Sequence, residues 1–434
     1  MKSLKVGICG LGTVASGVIN VIKRNQQEIS ARAGCQVDVI HVASRSLKNN
    51  CDMTGIEFTT NLMDVINNPD VDVVAELIGG YDLAKDLVCS AIKNGKHVVT
   101  ANKALIAEHG NEIFTLAAEY NVIVAYEAGV AGGIPIIKSL REGLAANKIN
   151  WLAGIINGTG NFILTEMKDK GRDFADVLAE AQALGYAEAD PTFDVEGIDA
   201  AHKLAILASV AFGVPLQFDK AFTEGISKIS TVDVNNAEAL GYRIKHLGIA
   251  RRKEAGFELR VHPTLIPEQQ LIAKVDGVMN AVLVDGDAVG QTLYYGAGAG
   301  SEATASAVIA DLVDVARAVT ANAGVSVPYL GFSAAHMNNL PVISIEEVIS
   351  AYYLRITAED NPGVLAQVSS ILSELGINIE SVMQKESEQE NQTIPLVLLT
   401  HEVKEKQINQ AIEQIEALET TVGNVVRIRV ELFQ

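Results

Sequence analysis

Residues 5–17 read Lys-Val-Gly-Ile-Cys-Gly-Leu-Gly-Thr-Val-Ala-Ser-Gly. A β-branched run enters a G-x-G-x-x-A turn at Gly10, Gly12 and Ala15, and an apolar helical pattern leaves it. Gly10 permits the tight turn and Gly12 lets the main chain approach a pyrophosphate. Ala15 keeps helix close to strand, and the first-turn amides, with Thr13 and Val14, are free to receive an anion. A lone glycine motif is weak; one that opens a βαβ unit reads as a dinucleotide site.

Outward from this turn, the runs KVGICG (5–10), VDVIHVAS (37–44), VDVVAELIG (71–79), HVVT (97–100) and VIVAYE (122–127) alternate with amphipathic stretches at Val14–Ile29, Leu83–Asn94 and Ala104–Tyr120. Such alternation predicts an α/β Rossmann-type nucleotide-binding domain over 1–128, built on a doubly wound parallel sheet. At the end of the second run an NAD enzyme usually carries an acid for the ribose hydroxyls, whereas this chain reads Ala43-Ser44-Arg45-Ser46. Arg45, with Ser44 and Lys48, suits a 2′-phosphate and so NADP, with NAD as the alternative; a solvated surface arginine would read the same.

From 129 to 331 longer helices (Asp173–Leu184, Gly197–Phe212) mix with strands such as WLAGIING (151–158) and FELRVHPTLI (257–266), which read as antiparallel. This is the pattern of an α+β substrate-binding, catalytic and dimerisation domain. The segment 278–295 reads as a hairpin turning at Asp285-Gly286, and a helix near 303–321 is placed to return to the first domain. Residues 332–350 read as a linker. The last segment, 351–434, runs strand, helix, strand, strand, helix, strand, a ferredoxin-like βαββαβ order.

With 434 residues, 48% hydrophobic and 20% charged, the chain can bury several cores. A net charge of −19 argues against nucleic acid and anionic membrane as partners. No run approaches the roughly 20 apolar residues of a membrane span, and no secretory leader is evident. Cys9, Cys35, Cys51 and Cys89 read as reduced thiols of a soluble, cytoplasmic chain.

Two lysines are catalytic candidates. Lys103 follows the carboxyl end of a strand, the edge where ligands of an open α/β sheet gather, although a single loop lysine is more often plain surface. Lys203 lies one helical turn after Asp199, behind Glu188, Asp190, Asp194 and Glu196, and the helix that follows is apolar on every face. By spacing this is equally an i,i+4 ion pair and an amine desolvated for acid-base work.

The segments GLGTVASG (10–17), TANKALI (100–106), YEAGVAGGIPI (126–136), NGTGNFIL (157–164), YAEADPTFDVEGIDAAHK (186–203) and YGAGAGSEATASAV (295–308) together resemble homoserine dehydrogenase over essentially the whole chain. Ala15 departs mildly from the family turn, where glycine is frequent. The resemblance implies interconversion of aspartate semialdehyde and homoserine by hydride transfer with NAD(P)H, toward threonine, isoleucine and methionine. It makes Lys203 the proton carrier, with Lys103 sharing that task near the nicotinamide. Glu188 and Asp199 would hold the substrate's amino group, Asp194 would orient the lysine or a water, and Gly185 and Gly300 would contact the cofactor through the main chain. Glu127, with the carbonyls of Val130, Gly132 and Ile134, would hold a monovalent cation, sodium by its preference for hard oxygens; by chemistry alone the same segment is a glycine-rich hinge. A homodimer or homotetramer is implied.

Residues 355–382 resemble an ACT domain, which implies an amino-acid effector, threonine, at the Asp360-Asn361-Pro362-Gly363 loop with Asn378 and Ile379 nearby; a purely dimerising module is the alternative. Two rivals fare worse. A semialdehyde dehydrogenase that forms an acyl-enzyme needs a nucleophilic cysteine, and none follows Cys89. A non-catalytic sensor has no need of Lys203 or the acids before it.

Overall fold

The computed structural model describes residues 3–47, 50–384 and 393–433; Lys48 lies outside them. The opening strand β1 (Ser3–Cys9) is followed by β2 (Gln36–Ala43), β3 (Glu57–Thr59), β4 (Val73–Glu76), β5 (His97–Thr100) and β6 (Val124–Ala125). They form one parallel sheet in the order β3-β2-β1-β4-β5-β6. The order reverses between β1 and β4, and the crevice beyond the strands' carboxyl ends at such a reversal takes ligands.

Gly12 caps the helix Thr13–Arg24. The single helix expected over Val14–Ile29 is two. Asn25 donates its amide to the Val21 carbonyl (2.9 Å) and receives that of Ile29 (3.0 Å), closing one helix and opening the next, Gln26–Ala33. Asn25 itself sits off the helical region at φ −110°, ψ +21°.

The second sheet begins with β7 (Ile149–Ile155), β8 (Phe222–Thr223), β9 (Tyr242–Lys253), β10 (Gly256–Pro267), β11 (Met279–Gly286) and β12 (Gly290–Ala297). Its hairpin turns over 287–289, beyond the Asp285-Gly286 expected, because Gly286 still pairs with Gly290. The C-terminal strands β13 (Ile349–Glu359), β14 (Ile379–Gln384), β15 (Thr393–Thr400), β16 (Val403–Lys404) and β17 (Val426–Val430) do not form a separate sheet. Parallel pairing of Thr264 with Arg429 and Leu265 with Val430 fuses them to β10, giving the order β12-β11-β7-β9-β10-β17-β13-β15-β14. Within it, β17-β13-β15-β14 is the ferredoxin-like arrangement.

Two apolar clusters tie these parts together. The helix Ser301–Thr320 returns to the first sheet, burying Ala305, Val308, Leu312 and Val315 with Val6, Ile8, Val18 and Ile19. Gly17 makes that approach close, since a Cβ there would stand 2.6 Å from the Ser301 carbonyl oxygen. Ile163, Leu164 and Leu265 of the middle segment pack with Tyr353, Leu399 and Ile428 of the C-terminal one. Each such apolar side chain contributes about 1.5–3 kcal/mol on burial, more than the roughly 0–1 kcal/mol of an exposed ion pair. Packing therefore holds these parts together more than any exposed charge pair does. The 332–350 stretch is likewise tied down: Phe257 donates to the Pro341 carbonyl (3.0 Å) and accepts from the Ile343 amide (2.9 Å).

Candidate functional site

The dinucleotide turn is built as its residues require. Gly10 adopts φ +98°, and a Cβ there would lie 2.7 Å from the Leu77 carbonyl oxygen. At Gly12 nothing lies within 4 Å of where a Cβ would be, so the main chain is open to a phosphate at the helix N-terminus. Ala15 is fully buried. Ser44 is half-buried at the end of β2, with its amide on the Thr59 carbonyl (3.1 Å). Arg45 is exposed and forms no ion pair among the described residues. At the end of β4 the buried carboxylate of Glu76 accepts from the Ile78 and Gly79 amides (2.9 and 3.1 Å) and the Thr100 hydroxyl (2.6 Å), fixing the neighbouring crossover loop.

A cleft of about 560 Å³ opens beside this turn. It is lined by Lys103, Gly185, Glu188, Asp194, Asp199, Lys203 and Gly300, so three separate segments of sequence meet there. Gly300 caps the helix Ser301–Thr320, and the Ser301 hydroxyl donates to the Thr13 carbonyl (2.8 Å), which joins the cleft to the dinucleotide turn.

Lys203 stands on the helix Ile198–Phe212, with its side chain 12% exposed. Its ammonium donates to the Asp199 carboxylate and to the Ile156 carbonyl, each at 2.7 Å. Lys103, first residue of the helix Lys103–Glu119, reaches the other Asp199 oxygen at 3.1 Å and lies 5.7 Å over the Phe193 ring. Asp199, expected on the substrate's amino group, thus has both oxygens taken up by the protein's own ammoniums. Burial would raise the Asp199 carboxyl, but Lys203 and Lys103 hold it well below the usual carboxylate range. Burial lowers the Lys203 ammonium; Asp199 opposes this and the charge of Lys103 adds to it.

Asp194 is not in an ion pair with Lys203. Its Oδ1 accepts from Asn157 (2.8 Å), which also donates to Asp199 (2.9 Å) and caps the helix Gly158–Lys170 through the Gly160 amide (2.7 Å). Burial raises the Asp194 carboxyl above its ordinary value, against that hydrogen bond. Asn157 was missed in the sequence; its only signal was an N-cap asparagine before a glycine-rich helix start. Glu188 is exposed at the cleft's rim.

Glu127 is buried at the hinge, its carboxylate accepting from the Ile137 and Lys138 amides (2.9 and 2.8 Å). Burial pushes it up to about 7. The Ile134 carbonyl is already bonded to the Ile136 amide (2.8 Å). Among the described residues no cluster of three His, Cys, Asp or Glu could hold a metal, so any cation here would depend on main-chain oxygens. The free thiols Cys9 and Cys35 are buried, Cys51 and Cys89 half-buried; burial pushes Cys9 up to about 12. In the C-terminal segment Gly363 (φ +100°) caps the helix Val364–Glu374, and the Asn378 carbonyl accepts from His401 (2.9 Å).

Residues 10–127 match the family model described as homoserine dehydrogenase, NAD binding domain, residues 135–313 that of homoserine dehydrogenase, and residues 352–420 that of the ACT domain. Homoserine dehydrogenase of Pseudomonas aeruginosa is 67% identical over 431 residues, 99% of each chain. The chain belongs to the homoserine dehydrogenase family. It is an NAD(P)-dependent oxidoreductase with a C-terminal ACT domain. The crystal structure of a homoserine dehydrogenase from Thiobacillus denitrificans superposes with a TM-score of 0.95 at 58% identity, covering 100% of this chain and 99% of that one. A hyperthermophilic archaeal homoserine dehydrogenase, described in complex with NADPH, has a TM-score of 0.62 at 25% identity and covers 72% of this chain and 98% of its own. Among the described residues no helix is long and apolar enough to cross a membrane.

Proposed function

We propose that this homoserine dehydrogenase interconverts L-homoserine and L-aspartate 4-semialdehyde with Lys203 as the proton carrier. The supporting observation is the Lys203 ammonium itself: nearly buried, tethered at 2.7 Å to Asp199, and facing the cleft that adjoins the dinucleotide turn. Gly10, Gly12 and the N-terminus of the helix Thr13–Arg24 would hold a nicotinamide dinucleotide, which would supply the hydride for the aldehyde carbon or take it up from the alcohol. As the C=O pair moves onto oxygen, Lys203 stabilises the nascent alkoxide and gives it a proton. In the reverse direction the neutral amine removes the hydroxyl proton. Asp199 holds the two ammoniums in place, Lys103 adds positive charge at the reacting oxygen, and Glu188 and Asp194 offer carboxylates to the substrate's amino group. Homoserine-dependent reduction of NADP, followed at 340 nm, should fall by about 10²-fold or more in Lys203→Ala. Undiminished turnover would remove the assignment.

Arg45 and Ser44, with no acid at the end of β2, favour NADP over NAD, measurable as the ratio of kcat/KM values. That preference has a parallel in the NADPH complex of the archaeal relative. At Glu127 the partly satisfied oxygens support a bound sodium ion; replacing sodium by choline should then lower Tm, and an unchanged Tm would refute it. The ACT domain supports threonine as a feedback effector in a cytoplasmic biosynthetic enzyme, tested by kcat and KM with and without threonine. The edge of β14, unpaired among the described residues, supports pairing of two such domains in a homodimer or homotetramer, which sedimentation would show.

A further inference from the structure

The segment 222–227 lies between the C-terminal module and the catalytic helix and touches both. Strands β8 and β17 lie end to end along one edge of β10. There the carboxylate of Glu224 receives Arg427 and Arg429, each at 3.0 Å. Both arginines also bind Glu405, at 3.2 Å from Arg427 and 2.8 Å from Arg429 Nε, and Arg429 lies 5.0 Å over the Phe222 ring. Arg429 is wholly buried, so its position is fixed by these partners. Burial would lower its guanidinium, and the two carboxylates more than reverse that.

The other end of the segment supports the active site. The Ile226 amide donates to the Val195 carbonyl (2.9 Å), the Ser227 hydroxyl to the Glu196 carboxylate (2.7 Å), and Gly225 packs directly on Glu196. The Glu224 carbonyl faces His246 Nε2 at 3.0 Å, and the His246 ring lies against Gly197, where a Cβ would stand 3.1 Å from Cε1. Val195, Glu196 and Gly197 are the only residues between Asp194 and the helix that carries Asp199 and Lys203.

We propose that Glu224 is a positioning residue for hydride transfer: clamped by Arg427 and Arg429 of the ACT domain, it sets the 224–227 segment on which the start of the Lys203 helix rests. The ACT domain thereby contributes to the geometry of the catalytic ammonium from outside the cleft. An exposed ion pair is weak and screened, whereas this one is part-buried, with Arg429 fully enclosed beside the buried Glu405, so loss of one partner leaves the enclosed charge less well compensated. This inference rests on the reading of Lys203 as proton carrier. A shift well under an ångström in such a group is enough to slow a reaction without altering the binding of a remote cofactor.

The test is a cycle of Glu224→Gln, Arg427→Gln and the double variant in the full-length protein, with kcat, the KM values for NADP and homoserine, and Tm measured for each. The expected result is a kcat lower by roughly tenfold in either single variant, NADP KM within about twofold of the parent, and a double variant no slower than the singles. A kcat equal to the parent's alongside a lowered Tm makes Glu224 a purely structural residue and overturns the proposal, as do losses that multiply in the double variant. If Glu224→Gln fails to fold, Arg427→Gln, whose parent side chain is 19% exposed, carries the test alone by the same criteria. Failure of the underlying reading is separate: it would appear as full turnover in Lys203→Ala, whatever Glu224 does.

Discussion

At the scale of single residues, the proposed chemistry centres on two amines sharing one carboxylate. Lys203 and Lys103 approach opposite oxygens of Asp199, and burial lowers the Lys203 ammonium, making its proton easier to give up than that of a solvated lysine. This has a signed consequence for pH. With Lys203 as the proposed proton carrier, aldehyde reduction uses its ammonium, so kcat should fall as pH rises through that lowered pKa. Homoserine oxidation needs the free amine, so its kcat should rise over the same range. Parallel profiles in the two directions would contradict the assignment. The lysine and its acids were visible in the sequence because an apolar helix following Lys203 demands burial. The sharing of Asp199 was not, since Lys103 comes from a segment almost a hundred residues earlier and no local pattern links them. Asn157, which holds both Asp194 and Asp199, was hidden for the same reason.

At the scale of elements, the strand-turn-helix at residues 3–24 and the βαββαβ order of the C-terminus were legible from periodicity and glycine placement alone. What failed locally were boundaries: Asn25 divides a helix whose apolar pattern runs on across it, and the hairpin after Gly286 turns later than its Asp-Gly pair suggested. The close packing of helix Thr13–Arg24 on helix Ser301–Thr320 rests on Gly17, because a side chain there meets the Ser301 main chain. Gly17→Val should therefore cost about 1–3 kcal/mol by overpacking, lowering Tm and weakening dinucleotide binding while homoserine KM is less affected. An unchanged Tm would show that the two helices can part without loss.

For the whole molecule, the unexpected feature is one continuous sheet from β12 to β14. Parallel pairing of β10 with β17 joins strands some 160 residues apart, which nothing in either strand's own sequence announces. The fusion is reinforced by buried ions: Arg260 of β10 binds Glu258 and Glu431, and Arg355 of β13 binds Asp233 at 2.6 and 3.1 Å. A chain ending near Asn338 would expose Leu265 and Ile163, leave Arg260 with Glu258 but without Glu431, and leave Asp233 without Arg355, and removing one member of a buried pair costs about 3–5 kcal/mol. Truncation should thus produce a destabilised protein, read as a large fall in Tm. A truncated chain as stable as the parent would mean that the shared sheet adds little.

The most direct measurement of the central claim is a crystal structure with NADP and homoserine bound. Lys203 Nζ should then lie about 3 Å from the homoserine hydroxyl oxygen, with the carbon bearing that hydroxyl against the nicotinamide. A Lys203 ammonium still held by Asp199 and Ile156 but out of reach of that oxygen, with another group in contact with it, would contradict the mechanism.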